Sequence, residues 1–196
     1  MPRITRDSLM TLEAYAKVRK DFRAKVMAHK QPRAVHLGEH LTLLFEDELT
    51  IRYQIQEILR VEKTFEEQAI EDELDAYNPL VPDGHNWKAT LLIEYEDVDE
   101  RKQALASLKG VADRVWVQVG TSPRVYAIAD EDLERENDEK TSAVHFVRFE
   151  LTQSMVDELD RGIALAIGVD HPAYAFTLLE VPAPTRRALL GDLVSD

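Results

Sequence analysis

The spacing of apolar residues along this chain changes between a helical and a strand period. From Leu12 to Val26 apolar side chains recur every three or four positions, which predicts an amphipathic helix. Asp7 or Ser8 can cap the start of this helix, and the Pro that follows Gln31 ends it. The chain is therefore expected to begin with a basic helix over residues 7–30 that packs on the rest of the protein.

Strand patterns are short and mostly come in pairs. Residues 34–37 and 41–46 predict one hairpin, residues 115–129 a second, and residues 163–181 a further pair. Seven or eight such strands with helices between the pairs predict an α+β fold with a mainly antiparallel sheet and helices packed on it. We expect a single domain over residues 1–196, and the alternative is a subdomain break in the loop near residues 79–86.

The segment IRYQIQEILRVEKTF, residues 51–65, predicts a helix with a carboxylate on its apolar side. At the helical period, Glu62 falls near the middle of an arc formed by Ile, Leu, Val and Phe side chains. An unpaired buried carboxylate costs several kcal/mol, so a buried Glu62 needs a cation, hydrogen-bond donors or a metal ion. The alternative is a helix that ends near Val61 and leaves Glu62 exposed. Glu57 is predicted to form a surface ion pair with Arg60.

Charge is unevenly distributed along a chain whose formal net charge is −13. Residues 1–35 contain nine Lys or Arg and three acids, whereas residues 46–75 contain eleven acids and three bases. No sustained basic surface is indicated, which argues against a nucleic-acid partner. The basic N-terminal helix is expected to dock on acidic surface of its own chain or of a neighbouring subunit, and the alternative is a different protein.

The absence of cysteine excludes disulfides, thiolate catalysis and an iron–sulfur cluster held by the chain's own cysteines. A bound metal would need His, Asp or Glu ligands, which suits zinc, manganese or non-haem iron. The chain has no run of about 18 uncharged apolar residues, so no membrane insertion is predicted. The N-terminus lacks a secretory signal pattern, and a cytoplasmic location is expected.

Histidines and carboxylates are the remaining candidates for chemistry, because the glycine-rich phosphate-binding motifs and the GxSxG and HExxH motifs are absent. His145 lies on the apolar face of a predicted strand, and His171 ends another. If these strands pair, the two histidines and Glu62 could form a two-His, one-carboxylate metal set. The alternative is that His145 is a hydrogen-bonded core residue. His85 in the loop, and Arg148 on the opposite face of the strand that carries His145, are further ligand-binding candidates.

Several segments together resemble an uncharacterised bacterial family, domain of unknown function 3501. The resemblance covers nearly the whole chain and implies no known activity or cofactor. It implies a context, because relatives are often encoded beside a rubrerythrin-like di-iron protein and an iron–sulfur oxidoreductase. We therefore expect an accessory or interaction component of an iron-linked redox or oxidative-stress system. The alternatives are an enzyme or small-ligand-binding protein with a His/carboxylate site, and a structural homo-oligomer. The segments are LTLLFED, RYQIQEILR, LDAYNPLVPDG, ATLLIEY, RVYAIADEDLER, TSAVHFVRFEL and GVDHPAY.

Overall fold

Helices and antiparallel strands make up the fold in a computed structural model that describes residues 3–194. The other four residues of the expected domain, at positions 1, 2, 195 and 196, lie outside the described residues. The helices are α1 (Leu12–Lys30), α2 (Glu48–Glu62), α3 (Glu67–Tyr77), α4 (Val98–Ser107), α5 (Gln153–Asp160) and α6 (Ala183–Leu190). The strands are β1 (Ala34–Leu37), β2 (Leu41–Phe45), β3 (Asn86–Ile93), β4 (Val115–Val119), β5 (Val125–Tyr126), β6 (Ile128–Ala129), β7 (Val144–Glu150), β8 (Leu165–His171) and β9 (Tyr174–Leu178).

Two antiparallel sheets form the centre of the fold. Sheet one has the strand order β1-β2-β3-β7-β6, and sheet two has the order β5-β4-β8-β9. The chain passes from sheet two to sheet one within residues 125–129, because β5 and β6 are separated by a single residue. The α+β class is confirmed, with two sheets where one was expected. The single-domain organisation stays a prediction.

Both sheets contribute one face to the main hydrophobic core. Along β7 the expected alternation is present, with Val147 and Phe149 buried while Phe146 and Arg148 are only partly covered on the opposite face. Trp87 from β3 and Ile167 from β8 lie in the same core. The opposite face of sheet one, which carries Arg148 and is called its outer face below, is therefore the face with room for a ligand.

Helices α1, α2 and α3 pack beside one another over a second, smaller hydrophobic cluster. The expected start of α1 at Asp7 or Ser8 is wrong. Ser8 and Thr5 hydrogen-bond to each other around a separate 3-10 turn at residues 6–8, and α1 begins at Leu12 after the Thr11 side chain accepts from the Ala14 amide. Within residues 3–194 no helix has the combination of length and apolar character needed to cross a membrane.

Several arginines of the basic N-terminal region pair with acids of the same chain. Arg3 contacts Asp75 and Arg6 contacts Glu67, so this region is tied to α3. The lysines on the outer side of α1 behave differently. Lys17, Lys20 and Lys25 form no ion pair with any residue of the described range. Docking onto the chain's own acidic surface therefore accounts for Arg3 and Arg6 and not for these lysines.

Candidate functional site

Glu62 is the last residue of α2 and is exposed to solvent. Lys63 follows it with φ 55° and ψ 44°, a left-handed conformation that ends the helix. Of the two alternatives left open by the sequence, the helix that ends near Val61 with an exposed Glu62 is therefore the one present, and a buried Glu62 is not. The apolar side chains of residues 51–65 also fall into a buried group and an exposed group. The buried group packs in the cluster beneath α2, while Val61 and Phe65 remain 65% and 66% exposed. The buried members are Ile51, Ile55 and Leu59.

A groove of about 380 Å³ runs along the uncovered side of α2. We call it the α2 groove. Ile58 and Val61 provide its apolar part, three positions apart on one side of the helix. Phe65 adds a further exposed apolar side chain just beyond the helix end. The residues that line the groove are Lys30, Tyr53, Gln54, Glu57, Ile58, Val61 and Glu62.

Glu57 is fixed between α1 and α2 along one edge of the α2 groove. Arg19 of α1 contacts both of its carboxylate oxygens at 2.8 Å, the Tyr15 hydroxyl donates at 2.5 Å, and Arg60 lies at 3.3 Å. The hydrogen bonds from Arg19 lower the pKa of Glu57 to about 2, although burial opposes that change. The predicted ion pair with Arg60 is present, and Arg19 is the stronger partner. This edge of the groove is therefore rigid and neutralised.

The carboxylates at the other end of the α2 groove are not neutralised. Glu62 and Glu66 are exposed and form no ion pair with any residue in the described part of the chain. Burial, together with the negative charges of Glu62 and Asp72, raises the pKa of Glu73 on α3. Like charges therefore accumulate where α2 meets α3, next to the exposed apolar side chains of Val61 and Phe65.

His145 is a buried residue of β7 with both ring nitrogens engaged, and only 2% of it is exposed. Its Nδ1 lies 2.6 Å from the Asp130 carboxylate, and its Nε2 lies 3.0 Å from the Ser142 carbonyl oxygen. The Thr141 hydroxyl also lies 3.0 Å from Nε2. Both ring nitrogens therefore already have protein partners. In this arrangement His145 fastens the acidic loop over residues 130–142 to sheet one.

His171 ends β8 in sheet two, so the strands of the two histidines do not pair. Its Nε2 donates to the Lys109 carbonyl oxygen at 2.9 Å, and its Nδ1 accepts from the Ala173 amide at 3.2 Å. Glu62 lies on the helix layer, away from both histidines. The three predicted ligands are therefore not brought together. Among residues 3–194 no group of three or more His, Cys, Asp or Glu side chains is placed to hold a metal ion.

Arg148 and His85 occupy exposed or partly exposed positions around sheet one. Arg148 lies on the outer face, where its guanidinium contacts Glu131 twice at 2.8 Å and also pairs with Glu150. His85 is exposed in the loop before β3, and its backbone amide donates to the Asp83 side chain at 2.9 Å. A role for either residue in ligand binding stays a prediction.

Two buried carboxylates, those of Asp47 and Asp192, belong to a cluster around Arg33 that was not predicted from the sequence. Arg33 is 2% exposed and donates to the carbonyl oxygens of Phe45 and Ala188. It also pairs with Asp47, at 3.3 Å, and with Asp192. One signal was available in the sequence, because Asp47 with a Thr three positions later is a helix-capping pattern that fixes the aspartate at the start of α2.

Comparison with known proteins agrees with the resemblance seen in the sequence. A family model described as "Protein of unknown function (DUF3501)" matches residues 3–193. This chain belongs to the DUF3501 family. A crystal structure at 1.90 Å of a protein of unknown function from Burkholderia pseudomallei K96243 is 57% identical to this DUF3501 chain. It covers 98% of this chain and 100% of its own, with a TM-score of 0.94. A comparison with curated proteins gave no match.

Proposed function

We propose that this DUF3501 protein is an accessory component that binds a partner protein through the α2 groove. The observation that carries the proposal is the pair of exposed apolar side chains Val61 and Phe65, which continue from the partly buried Ile58 and lie beside carboxylates that have no counter-ion in the described chain. Large exposed apolar side chains that cluster next to a polar rim are typical of protein interaction sites. The partner surface would present an apolar centre with basic residues around it.

The geometry of the α2 groove suits a helix as the docking element. Ile58 and Val61 follow the spacing along which amphipathic helices pack against each other. The Glu57 network keeps one wall of the groove in place, so little ordering is needed on binding. A basic partner would also relieve the repulsion between Glu62 and Glu73.

The family context supplies partners to test. Members of this family are expected beside a rubrerythrin-like di-iron protein and an iron–sulfur oxidoreductase, so these two proteins are the first choices. An iron-linked redox role for this chain follows only if one of them binds. Self-association through the same groove is the competing outcome, and it corresponds to the homo-oligomer alternative.

The test is a binding titration of the full chain with each candidate partner at roughly micromolar concentrations. Replacing Val61 and Phe65 together by Ala is expected to weaken the complex roughly tenfold or more, because buried apolar anchors dominate interface energy. Leu179→Ala is the matched control, since Leu179 is 80% exposed on a different part of the surface. This control is expected to leave the affinity unchanged.

Charge provides a second arm of the same experiment. Glu62→Lys is expected to slow association and to reduce the dependence of affinity on salt concentration. Sedimentation of the chain alone shows whether a second copy occupies the groove. The proposal would be rejected if neither candidate partner forms a complex, or if Leu179→Ala weakens binding as much as the Val61 and Phe65 double variant.

A further inference from the structure

A second cavity, of about 230 Å³, opens on the outer face of sheet one. We call it the Lys88 cavity. Lys88 of β3 pairs in register with Arg148 of β7, and Arg148 pairs with Ile128 of β6. These three side chains therefore form one row across three adjacent strands. The 3-10 turn at residues 78–80 and the loop at residues 130–132 provide the walls of the cavity.

Two cations lie directly opposite each other in this row, an arrangement that is destabilising without compensation. Arg148 is compensated, because Glu131 and Glu150 both pair with it. Lys88 has no direct ion pair with any carboxylate of residues 3–194, and the charges of Asp83, Glu131 and Glu150 compensate it only in part. Its Nζ donates to the Pro79 carbonyl oxygen, and an ammonium group has two further N–H donors. Burial lowers the pKa of Lys88; the negative charge of Asp83 opposes this change, and the charge of Arg148 adds to it.

The remaining lining of the Lys88 cavity is mainly apolar. Its two acids, Glu131 and Asp132, are already held by arginines, the second by contacts of 2.6 and 2.8 Å to Arg135. They therefore offer little to a cationic ligand. A molecule that enters the cavity meets a lysine that has no direct ion pair within residues 3–194, with apolar side chains around it. The apolar contacts come from Pro79, Leu80, Ile128 and Phe146.

We propose that the Lys88 cavity binds a small monocarboxylate with an apolar body. The carboxylate would lie against the Lys88 ammonium and supply the counter-ion that this side chain lacks. The apolar body would contact Ile128 and Phe146. The cavity is larger than the roughly 150 Å³ of an engineered protein cavity that holds benzene, so a benzoate-sized molecule fits. This site is separate from the α2 groove and does not depend on the role proposed for it.

Benzoate and its neutral analogue benzamide are the probes. Each is titrated into the full isotope-labelled chain, and the methyl signal of Ile128 is followed by NMR. Benzoate is expected to saturate with a dissociation constant on the order of 1 mM, as suits a ligand of this size. Benzamide is expected to bind at least tenfold more weakly, because it carries no charge for Lys88. Equal binding of the two probes, or shifts that do not saturate, would overturn the proposal.

Variants locate the binding. Lys88→Met removes the ammonium group and keeps most of the apolar stem, so it is expected to weaken benzoate binding at least tenfold and to leave benzamide unchanged. Lys109→Met is the matched control, since Lys109 Nζ also donates to a backbone carbonyl oxygen, that of Asp138, outside the cavity. Ile128→Trp fills the cavity and is expected to abolish binding of both probes. Unchanged benzoate affinity in Lys88→Met or in Ile128→Trp would refute the proposed site.

Discussion

Asp130 combines an unusual backbone conformation with a demanding set of contacts. Its φ of 52° lies in the left-handed region, which Asp and Asn tolerate better than most residues. Its carboxylate accepts from His145 and, at 3.1 Å, from the Phe146 amide. The same carboxylate also lies 3.3 Å from the Arg135 guanidinium. These contacts offset the backbone strain and hold the loop on sheet one.

Asp130→Asn is expected to lower the free energy of unfolding by about 1–3 kcal/mol. Asparagine keeps the left-handed backbone, so the change reports on the lost carboxylate next to His145 and not on strain. Urea unfolding measures the difference.

Asp132→Asn is the control, because Asp132 lies in the same loop with its carboxylate on the surface and paired with Arg135. Exposed ion pairs of this kind contribute little to stability, so the free energy of unfolding is expected to change by less than about 0.5 kcal/mol. Similar effects of the two substitutions would contradict a special role for Asp130.

At the residue scale the sequence predicted positions better than partners. His145 was placed correctly on the buried face of its strand, because strict alternation determines which side chains point inward. Its partner Asp130 was not predicted, since it comes from an irregular loop fifteen residues earlier. The roles of Lys88 and Arg33 were not predicted either, because they depend on tertiary packing. Their importance depends on which strands and helices lie next to them.

At the scale of elements, α2 shows how a helix end exposes a surface. Lys63 adopts the left-handed conformation at this end, where glycine is preferred. The Lys63 and Thr64 amides both hydrogen-bond to the Leu59 carbonyl oxygen, so the turn is well formed. The strained residue is therefore maintained by the turn and the packing around it.

Lys63→Gly is expected to raise the free energy of unfolding by about 0.5–1 kcal/mol, because glycine adopts positive φ without steric strain. Differential scanning calorimetry measures the accompanying rise in Tm.

The reverse change at Gly110 serves as the control. Gly110 has φ 76° and no atom within 4 Å of an added Cβ, so Gly110→Ala tests the backbone alone. It is expected to destabilise the protein by about 1 kcal/mol. A loss of stability in Lys63→Gly would show that the lysine side chain stabilises the fold by more than its left-handed backbone conformation costs.

Helices and strands were predicted well where one buried face alone produces the spacing of apolar residues. The β1–β2 and β4–β5 hairpins and strand β7 were expected from alternation and turn residues, and all are present. The apolar arc of α2 is wider than the surface that covers it, so the pattern could not show that Val61 would stay exposed. Which part of a helix is covered depends on where α1 and α3 pack.

At the scale of the whole molecule, the Arg33 cluster joins segments that are distant in sequence. Arg33 follows α1, Asp47 begins α2, and Asp192 follows α6. Two carboxylates compete for this guanidinium, and their pKa values move apart. Burial raises the pKa of Asp192 from its ordinary value of 3.8 to about 6. For Asp47, Arg33, the Thr50 amide and His29 outweigh burial and lower the pKa.

The pH dependence of stability follows from Asp192. Its pKa is higher in the folded state, so its stabilising effect is complete below pH 4 and is lost as the pH rises through 6. Two pKa units correspond to about 3 kcal/mol. Asp192→Asn cannot titrate, so its stability relative to wild type is expected to rise by up to this amount between pH 4 and pH 7. Urea unfolding at several pH values measures this difference.

Glu57→Gln provides a comparison of opposite sign. The pKa of Glu57 falls from 4.5 to about 2 on folding, so its stabilising effect is present above pH 4.5 and is lost on acidification toward pH 2. The free energy of unfolding of Glu57→Gln, which is lower than that of wild type at neutral pH, should therefore approach the wild-type value at low pH. A stability difference for Asp192→Asn that does not change with pH would show that Asp192 titrates alike in both states.

The overall class could be predicted from the sequence, whereas the division into two sheets could not. Alternation identifies strands and says nothing about which strands become neighbours, as β5 and β6 show by entering different sheets one residue apart. The charge asymmetry indicated that the N-terminal region meets acids, and Arg3 and Arg6 do so. The exposed groove and the cavity arise from tertiary packing alone.

The pairing of β3 with β7 has a consequence for synthesis on the ribosome. Strands β1, β2 and β3 are complete once residue 93 has been made, but the partner of β3 ends at residue 150. Translation at about 5–20 residues per second leaves this edge of β3 without its neighbour for several seconds. An unpaired edge strand attracts other chains. The nascent protein is therefore expected to need a chaperone or rapid folding of its later half to avoid aggregation during that interval.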